Sequence, residues 1–435
     1  MENNKGKIFR KGSKQSGITL VALVVTIVVL LILAGVSIRL VLDNNGIITK
    51  AGDAKEEYGK ARENEQKDLD SAADYIDETI SGIKKIEGVV IPNGYYYVGG
   101  TKDTGLVISD AAADENKYKT AEAGQVLKDD LVGNQWVWVP VDDVTKLCDT
   151  SNTEEYTLFG TTADPVKTKL YSRSEILSGQ KRTTPGTTTS PYNREPDLVV
   201  GSDGASYDAA NYKTIVGNNG TLKEMAKLFK NEYDTMIKSI EKYGGFYIGR
   251  YELSGDVNSP TEKSGTTITN TNWYDLYNAC KKLGANADGS DKEGIATRMI
   301  WGCQWDATCD FIATKGEEKN ITDSREWGNY INSKDNAAVK ETKEDGTKEN
   351  KYGSEQITGY SEYWKANNIY DIAGNCQEWT QEAVYTDWRA DRGGIYYSNG
   401  SLFPASTSGS FTPTKSSSYG STNGTRPTLI ITTGI

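Results

Sequence analysis

The side chains able to do chemistry in this 435-residue chain are carboxylates, amides, hydroxyls, 26 tyrosines, 9 tryptophans and 5 cysteines, and histidine is absent altogether. Without imidazole the chain lacks the usual general base and the commonest metal ligand, so Ser-His-Asp and Cys-His nucleophile systems and His-ligated zinc or iron are excluded. The thiols, Cys148, Cys280, Cys303, Cys309 and Cys376, form no C-x-x-C pair and announce neither a zinc ribbon nor a disulfide framework. Buried packing is their default role. Cys303 and Cys309 stand six apart on a helix opened by Trp301 and Trp305, a spacing that keeps them off one face and away from a shared copper ion. The formal charge of -11, from 49 Lys+Arg against 60 Asp+Glu, disfavours nucleic acid as a partner, because a basic footprint is needed to displace phosphate counterions.

One segment is composed for contact rather than reaction. Between Arg392-Gly393-Gly394 and Arg426-Pro427 runs IYYSNGSLFPASTSGSFTPTKSSSYGSTNGT, in which Tyr396, Tyr397, Leu402, Phe403, Phe411 and Tyr419 alternate with Ser398, Asn399, Thr407, Ser408, Ser410, Ser416, Ser417, Ser418, Ser421 and Asn423. Aromatic residues bring large contact area at low entropy cost, while Ser, Gly and Asn adapt their hydrogen bonds, as in antibody paratopes. A flexible Ser/Gly tail is the plainer reading. Arg426 to Ile431 reads as a closing strand, which tethers the segment at both ends.

The elements that must hold these residues are legible in part. Gln135 to Val141 alternates aromatic and β-branched residues as a buried strand does. Thr221-x-x-Glu224 is a capping box opening a helix with Leu222, Met225, Phe229, Tyr233, Met236, Ile237 and Ile240 on one face, stopped by Gly244-Gly245. A second helix starts at an Asn272 cap, turns Trp273, Leu276, Tyr277, Cys280 and Leu283 inward, and stops at Gly284. Residues 150–220, rich in Thr, Ser, Gly and Asp, read as surface excursions, and 334–355 as a charged insertion loop.

The first 45 residues differ from the rest. Lys5, Lys7, Arg10, Lys11 and Lys14 precede an uncharged apolar run from Ile18 to Ile38, long enough to predict a transmembrane helix over 18–42 with a cytoplasmic N-terminus and an extracellular remainder. Ser16-Gly17-Ile18-Thr19-Leu20-Val21-Ala22 resembles the signal of type IV pilins. The resemblance implies cleavage between Gly17 and Ile18 by a prepilin peptidase, methylation of Ile18, and pilin-like assembly. Ala22 stands where pilins carry the glutamate that pairs with a neighbouring subunit. Ala54, Tyr58, Ala61, Leu69, Ala72, Ala73, Ile76 and Ile80 then give a thin helical stripe, read as an amphipathic stalk over 47–84.

From Gly245-Phe246-Tyr247-Ile248-Gly249-Arg250-Tyr251-Glu252, through Arg298 to Trp305, Asn368 to Thr380 and Arg392-Gly393-Gly394, to Arg426-Pro427, the chain resembles the formylglycine-generating-enzyme (sulfatase-modifying-factor) branch of the C-type lectin fold. The resemblance implies an α+β, C-type-lectin-like domain over 85–435 with its core in 131–435. The family's oxidases hold copper with cysteines in the segment after R-G-G, and none lies in Ile395 to Thr425 here, so no copper, iron or zinc chemistry is expected. A calcium ion is implied at Asp371, the carbonyls of Gly374 and Cys376, and Glu378. The alternative is that Asp371 and Glu378 cap and salt-bridge a loop near Arg392. In lectin-fold proteins diversified by retroelements, the stretch corresponding to 392–427 is the variable region. Together these readings predict a non-catalytic, membrane-tethered surface protein that binds a protein or glycan ligand through residues 395 to 425. A structural pseudopilin with a decorative lectin-like head is the alternative.

Overall fold

The computed structural model describes residues 23–33, 54–62, 65, 69, 72, 83–112, 133–147, 155–160, 163–169, 195–199, 206–333, 340–342, 348–384, 387–414 and 422–435. The chain divides into two units, Met1–Ala73 and Asp74–Ile435.

In the first unit, residues 23–33 and 54–62 are helical, and Lys60 pairs with Glu56 at 2.6 Å one turn away. This corrects the expected transmembrane helix over 18–42. Among the described residues no helix is long and apolar enough to cross a membrane. The run at 23–33 rises about 16 Å, whereas a bilayer core needs about 30 Å. The fold class with a membrane-spanning N-terminal helix, and the single-pass membrane localisation drawn from it, are both overturned by that finding. The expectation rested on the count of apolar residues, and the described helical run at 23–33 is shorter than that count. The processing pair Gly17 and Ile18, and most of the stalk at 47–84, lie outside the described residues; Tyr58 and Leu69 are exposed.

The second unit is organised by two sheets. The larger has six antiparallel strands: β1 (Tyr96–Gly99), β2 (Val107–Ser109), β3 (Gln135–Pro140), β4 (Gly245–Gly249), β5 (Ile295–Met299) and, as its last strand in sequence, Pro427–Ile431. The smaller holds β6 (Gln377–Val384), β7 (Trp388–Arg392), β8 (Ser408–Phe411) and β9 (Asn423–Thr425), so Pro427–Ile431 is β10. Spatial order is β5-β10-β4-β3-β2-β1 in one and β8-β7-β6-β9 in the other, with β6 and β9 parallel. Trp136, Val137, Trp138 and Val139 are all buried, because both faces of β3 are covered and alternation gives way to a continuous apolar run.

Four helices of the second unit matter here: α1 (Tyr207–Val216), α2 (Leu222–Tyr243), α3 (Trp273–Lys282) and α4 (Gly302–Thr314). Thr221 closes the capping box with Glu224, Gly244 ends α2 in the left-handed conformation, and Asn272 caps α3 through the Asp275 amide. Met225, Phe229, Tyr233, Met236 and Ile240 are buried along α2, each contributing about 1.5–3 kcal/mol by leaving water. Rings of three helices meet there: Phe229 stands edge-on to Trp273 at 6.1 Å, and Tyr233 edge-on to Trp301 at 4.9 Å.

Residues 150–220 are not merely surface excursions. Glu155–Phe159 and Val166–Lys169 form a hairpin, and α1 carries a fully buried Asp208 that bonds Arg389 of β7 at 2.8 Å. Glu195, also buried, accepts the Gly302 and Cys303 amides at 2.6 and 3.2 Å, so its carboxylate meets the N–H groups that open α4. Within 334–355, Lys340–Thr342 pairs with Lys348–Asn350.

The chain passes from the small sheet to the large one at Arg426, the single residue between β9 and β10. Its guanidinium is fully buried and grips Glu378 of β6 at 2.7 and 3.0 Å, the Gly249 carbonyl at 3.0 Å and the Tyr370 carbonyl at 2.8 Å. Arg426→Met should lower unfolding free energy by about 3–5 kcal/mol, the cost of leaving one partner of a buried pair alone. Thr221→Ala should cost about 1 kcal/mol through the lost cap. Urea denaturation of both variants measures the contrast.

Candidate functional site

The contact segment starts where β7 ends. Gly394 adopts φ +71°, and a Cβ there would lie 2.2 Å from the Phe403 carbonyl oxygen, so the chain can turn back on itself only with glycine. Backbone bonds then brace 395–407 from several sides. The Tyr396 amide donates to the Asn375 carbonyl at 3.0 Å, the Ile331 amide to the Ser398 carbonyl at 3.2 Å, and the Ser324 amide to the Gly400 carbonyl at 3.0 Å. The Gly400 amide donates to Asn332 Oδ1 at 2.8 Å. Leu402 and Phe403 both donate to the Asn399 carbonyl, while Ser401 donates to the Asn399 side chain. Pro404 and Ala405 are buried, and the Ala405 carbonyl accepts Trp305 Nε1 at 3.0 Å.

The residues singled out from sequence therefore separate into roles. Tyr397, Leu402 and Phe403 project into solvent, with exposures of 38%, 69% and 43%. Tyr396 is half-buried and stands edge-on to Tyr397 at 5.0 Å; burial, then the Glu355 carboxylate, push its phenol up. Ser398, Thr407, Ser408, Ser410 and Phe411 are half-buried, the last three on the edge strand β8. Asn399 acts mainly as a turn brace. Asn423 is fully buried, its Nδ2 donating to Asp391 Oδ2 at 3.2 Å. Ser416, Ser417, Ser418, Tyr419 and Ser421 lie outside the described residues.

Two residues that sequence reading missed stand beside the segment. Ile331 is 61% exposed and Ile357 47% exposed. The Ile331 amide bonds into the segment, and the loop leading to Ile357 is fastened by the Gln356 amide on Asn375 Oδ1 at 3.0 Å. An isolated isoleucine in a polar tract normally signals core, so nothing in the sequence marked either as a surface residue.

Beneath the segment the charges are buried and matched. Arg392 reaches Glu382 at 2.5 Å and Asp306 at 3.2 Å, and Arg389 lies 4.3 Å from the Trp273 ring centroid while bonding Asp208. Among the expected calcium ligands, Asp371 Oδ2 accepts the Thr358 hydroxyl at 2.9 Å and the Gly359 amide at 2.8 Å. Both oxygens of Glu378 are taken by Arg426. The Gly374 amide donates to the Gly393 carbonyl at 2.8 Å, and the Cys376 amide to Glu252 at 3.0 Å. This donor set does not fit a calcium ion, because a guanidinium already occupies Glu378, one of its two carboxylates. Among the described residues no cluster of three or more His, Cys, Asp or Glu is arranged to hold a metal.

Glu252 is a further buried carboxylate, one to which the sequence assigned no role. It accepts Thr267 Oγ1 at 2.6 Å and Asn375 Nδ2 at 2.7 Å; burial, then the charges of Asp371 and Glu378, raise its pKa well above the ordinary range. The four described cysteines are buried and unbridged, and burial pushes the Cys280, Cys309 and Cys376 thiols up. Cys303 and Cys309 face different neighbours, Tyr233 Oη at 3.6 Å and the Ala405 carbonyl at 3.8 Å.

No family model matches the chain, and no curated protein matches it. Among solved structures, it is similar to Treponema denticola variable protein 1 with a TM-score of 0.26 and 14% identity, over 43% of this chain and 85% of that one. The structure titled "Crystal Structure of CarF" gives a TM-score of 0.27 and 14% identity, over 43% of this chain and 86% of that one. Neither likeness defines a family for the chain.

Gly394→Ala should destabilise the protein by more than about 1 kcal/mol, since it meets both an unfavourable φ and the Phe403 carbonyl. A melting scan with and without EDTA should show no shift in Tm; a fall with chelator would restore a metal to the Asp371 loop.

Proposed function

We propose that the second unit is a non-catalytic ligand-binding domain whose contact face is the 395–411 segment flanked by Ile331 and Ile357. The observation that carries this reading is the pairing of exposed aromatic and aliphatic side chains with a backbone held both by its own turns and by other parts of the chain. Tyr397, Leu402 and Phe403 face water while the peptide groups beneath them are bonded to residues 324, 331, 332 and 375. Exposed apolar residues grouped in this way mark interaction sites. A loop already fixed in one conformation avoids part of the ordering cost of binding, about 0.5–1.5 kcal/mol for each immobilised side chain.

The projecting groups are apolar, which favours a protein surface with an apolar centre over a glycan. A non-catalytic role is supported by the chain's composition and by its thiols. There is no imidazole to serve as base, and buried thiols with raised pKa are poor nucleophiles.

The test is direct. Tyr397→Ala, Leu402→Ser and Phe403→Ala should each change stability by less than about 0.5 kcal/mol, as exposed substitutions do. On an array of surface proteins and glycans, each should weaken whatever interaction the wild-type protein makes by about tenfold or more, the loss of about 1.4 kcal/mol or more expected at a contact anchor. Unchanged binding in the triple variant would overturn the proposal.

A further inference from the structure

We propose that Asp391 is a proton-controlled fastening between β7 and two strands of the contact segment, its neighbour β8 and, through the Asn423 side chain, β9 on the far side of β6. Asp391 is fully buried on β7 and lies opposite Gly409 of β8 in the antiparallel register. A Cβ at Gly409 would lie 2.2 Å from Asp391 Oδ1, so β8 closes over the carboxyl only because that residue is glycine. From β9, Asn423 Nδ2 donates to Asp391 Oδ2 at 3.2 Å. Asp391 Oδ1 and Asn423 Oδ1 are both buried with no hydrogen-bond partner among the described residues.

That arrangement suits an uncharged carboxyl and penalises an ionised one. Among the described residues, those facing Asp391 are Gly409 on β8, Asn423 on β9 and Trp379 on β6, none of them charged. Its charged neighbour is Arg392, whose guanidinium is already engaged by Asp306 and Glu382. Burial pushes the Asp391 carboxyl up to about 7, against the opposing pull of Asn423, its own backbone amide and Arg392. An anion formed there is solvated only if a neighbouring strand gives way to water. The sign follows from which state holds the proton. The closed state retains it up to about 7 and the opened state loses it near the ordinary carboxylate value. The fastening is therefore complete below about 4, weakens as pH rises, and levels off above about 7.

The experiment is amide hydrogen exchange on the full-length protein between about pH 4.5 and 8.5, corrected for the intrinsic pH dependence of exchange. The expected result is that protection of 408–411 and 423–425 falls by up to about tenfold per pH unit up to about 7 and then flattens. Protection of β10, used as internal reference, should fall less steeply. Asp391→Asn, an uncharged isostere, should remove the difference. Identical pH profiles for β8, β9 and β10 in the wild-type protein would overturn the proposal, and that arm requires no variant to fold. A persisting difference in Asp391→Asn would overturn it as well. The exchange readout involves no ligand, so its outcome is separate from that of the binding proposal; the functional consequence, pH-dependent presentation of the contact face, rests on that reading.

Discussion

The grip of Arg426 on Glu378 is the constraint on which both sheets depend. A guanidinium with 0% exposure survives only if its N–H groups find acceptors, and this one meets two carboxylate oxygens and two backbone carbonyls drawn from three places in the chain. Those acceptors fix β6 of the small sheet, the end of β4 in the large sheet, and the segment at Tyr370 relative to one another. Because Arg426 is also the step between β9 and β10, its position sets where one sheet ends and the other begins. Arg suits this role because its planar fork matches a carboxylate at two points, which a lysine ammonium does not.

The same solution recurs at Arg389 and Arg392, and together the three arginines account for much of the polar interior. Each joins an element distant in sequence, β7 to α1 through Asp208 and β7 to α4 through Asp306, while Arg392 also ties β7 to the neighbouring β6 through Glu382. A purely apolar junction of similar volume is often as stable as a buried ion pair. What the ion pairs add is discrimination between arrangements, since a misplaced strand would leave a buried charge unmatched. The contact segment benefits directly, because it leaves the core from β7, the strand that two of these arginines lock in place.

What could be read from the sequence divides along this line between local and distant interactions. The Thr221-Glu224 box, the Asn272 cap, the Gly244 stop and the closing strand after Arg426 depend on neighbours within a few residues, and each formed as its pattern predicts. The partners of Arg389 and of the α4 N-terminus are Asp208 and Glu195, separated from them by 181 and 107 residues, in a tract whose Ser/Thr/Gly composition suggested only loops. Composition also placed Asn423 on a surface, whereas pairing with β6 buries it. The apolar run at the N-terminus was the clearest signal of all, yet among the described residues no helix is long and apolar enough to cross a membrane, since hydropathy measures what a segment would tolerate and not what it forms.

The bracing of residues 395–407 bears on how this protein can change. Most of the bonds that hold the loop run between peptide groups or come from Ser324 and Asn332, outside it. The side chains of Tyr397, Leu402 and Phe403 contribute little to its shape, whereas Asn399 and Ser401 close the turn. Mutation can rewrite the first group while the scaffold keeps its geometry, so these positions form a small alphabet that evolution can respell without first solving a new folding problem.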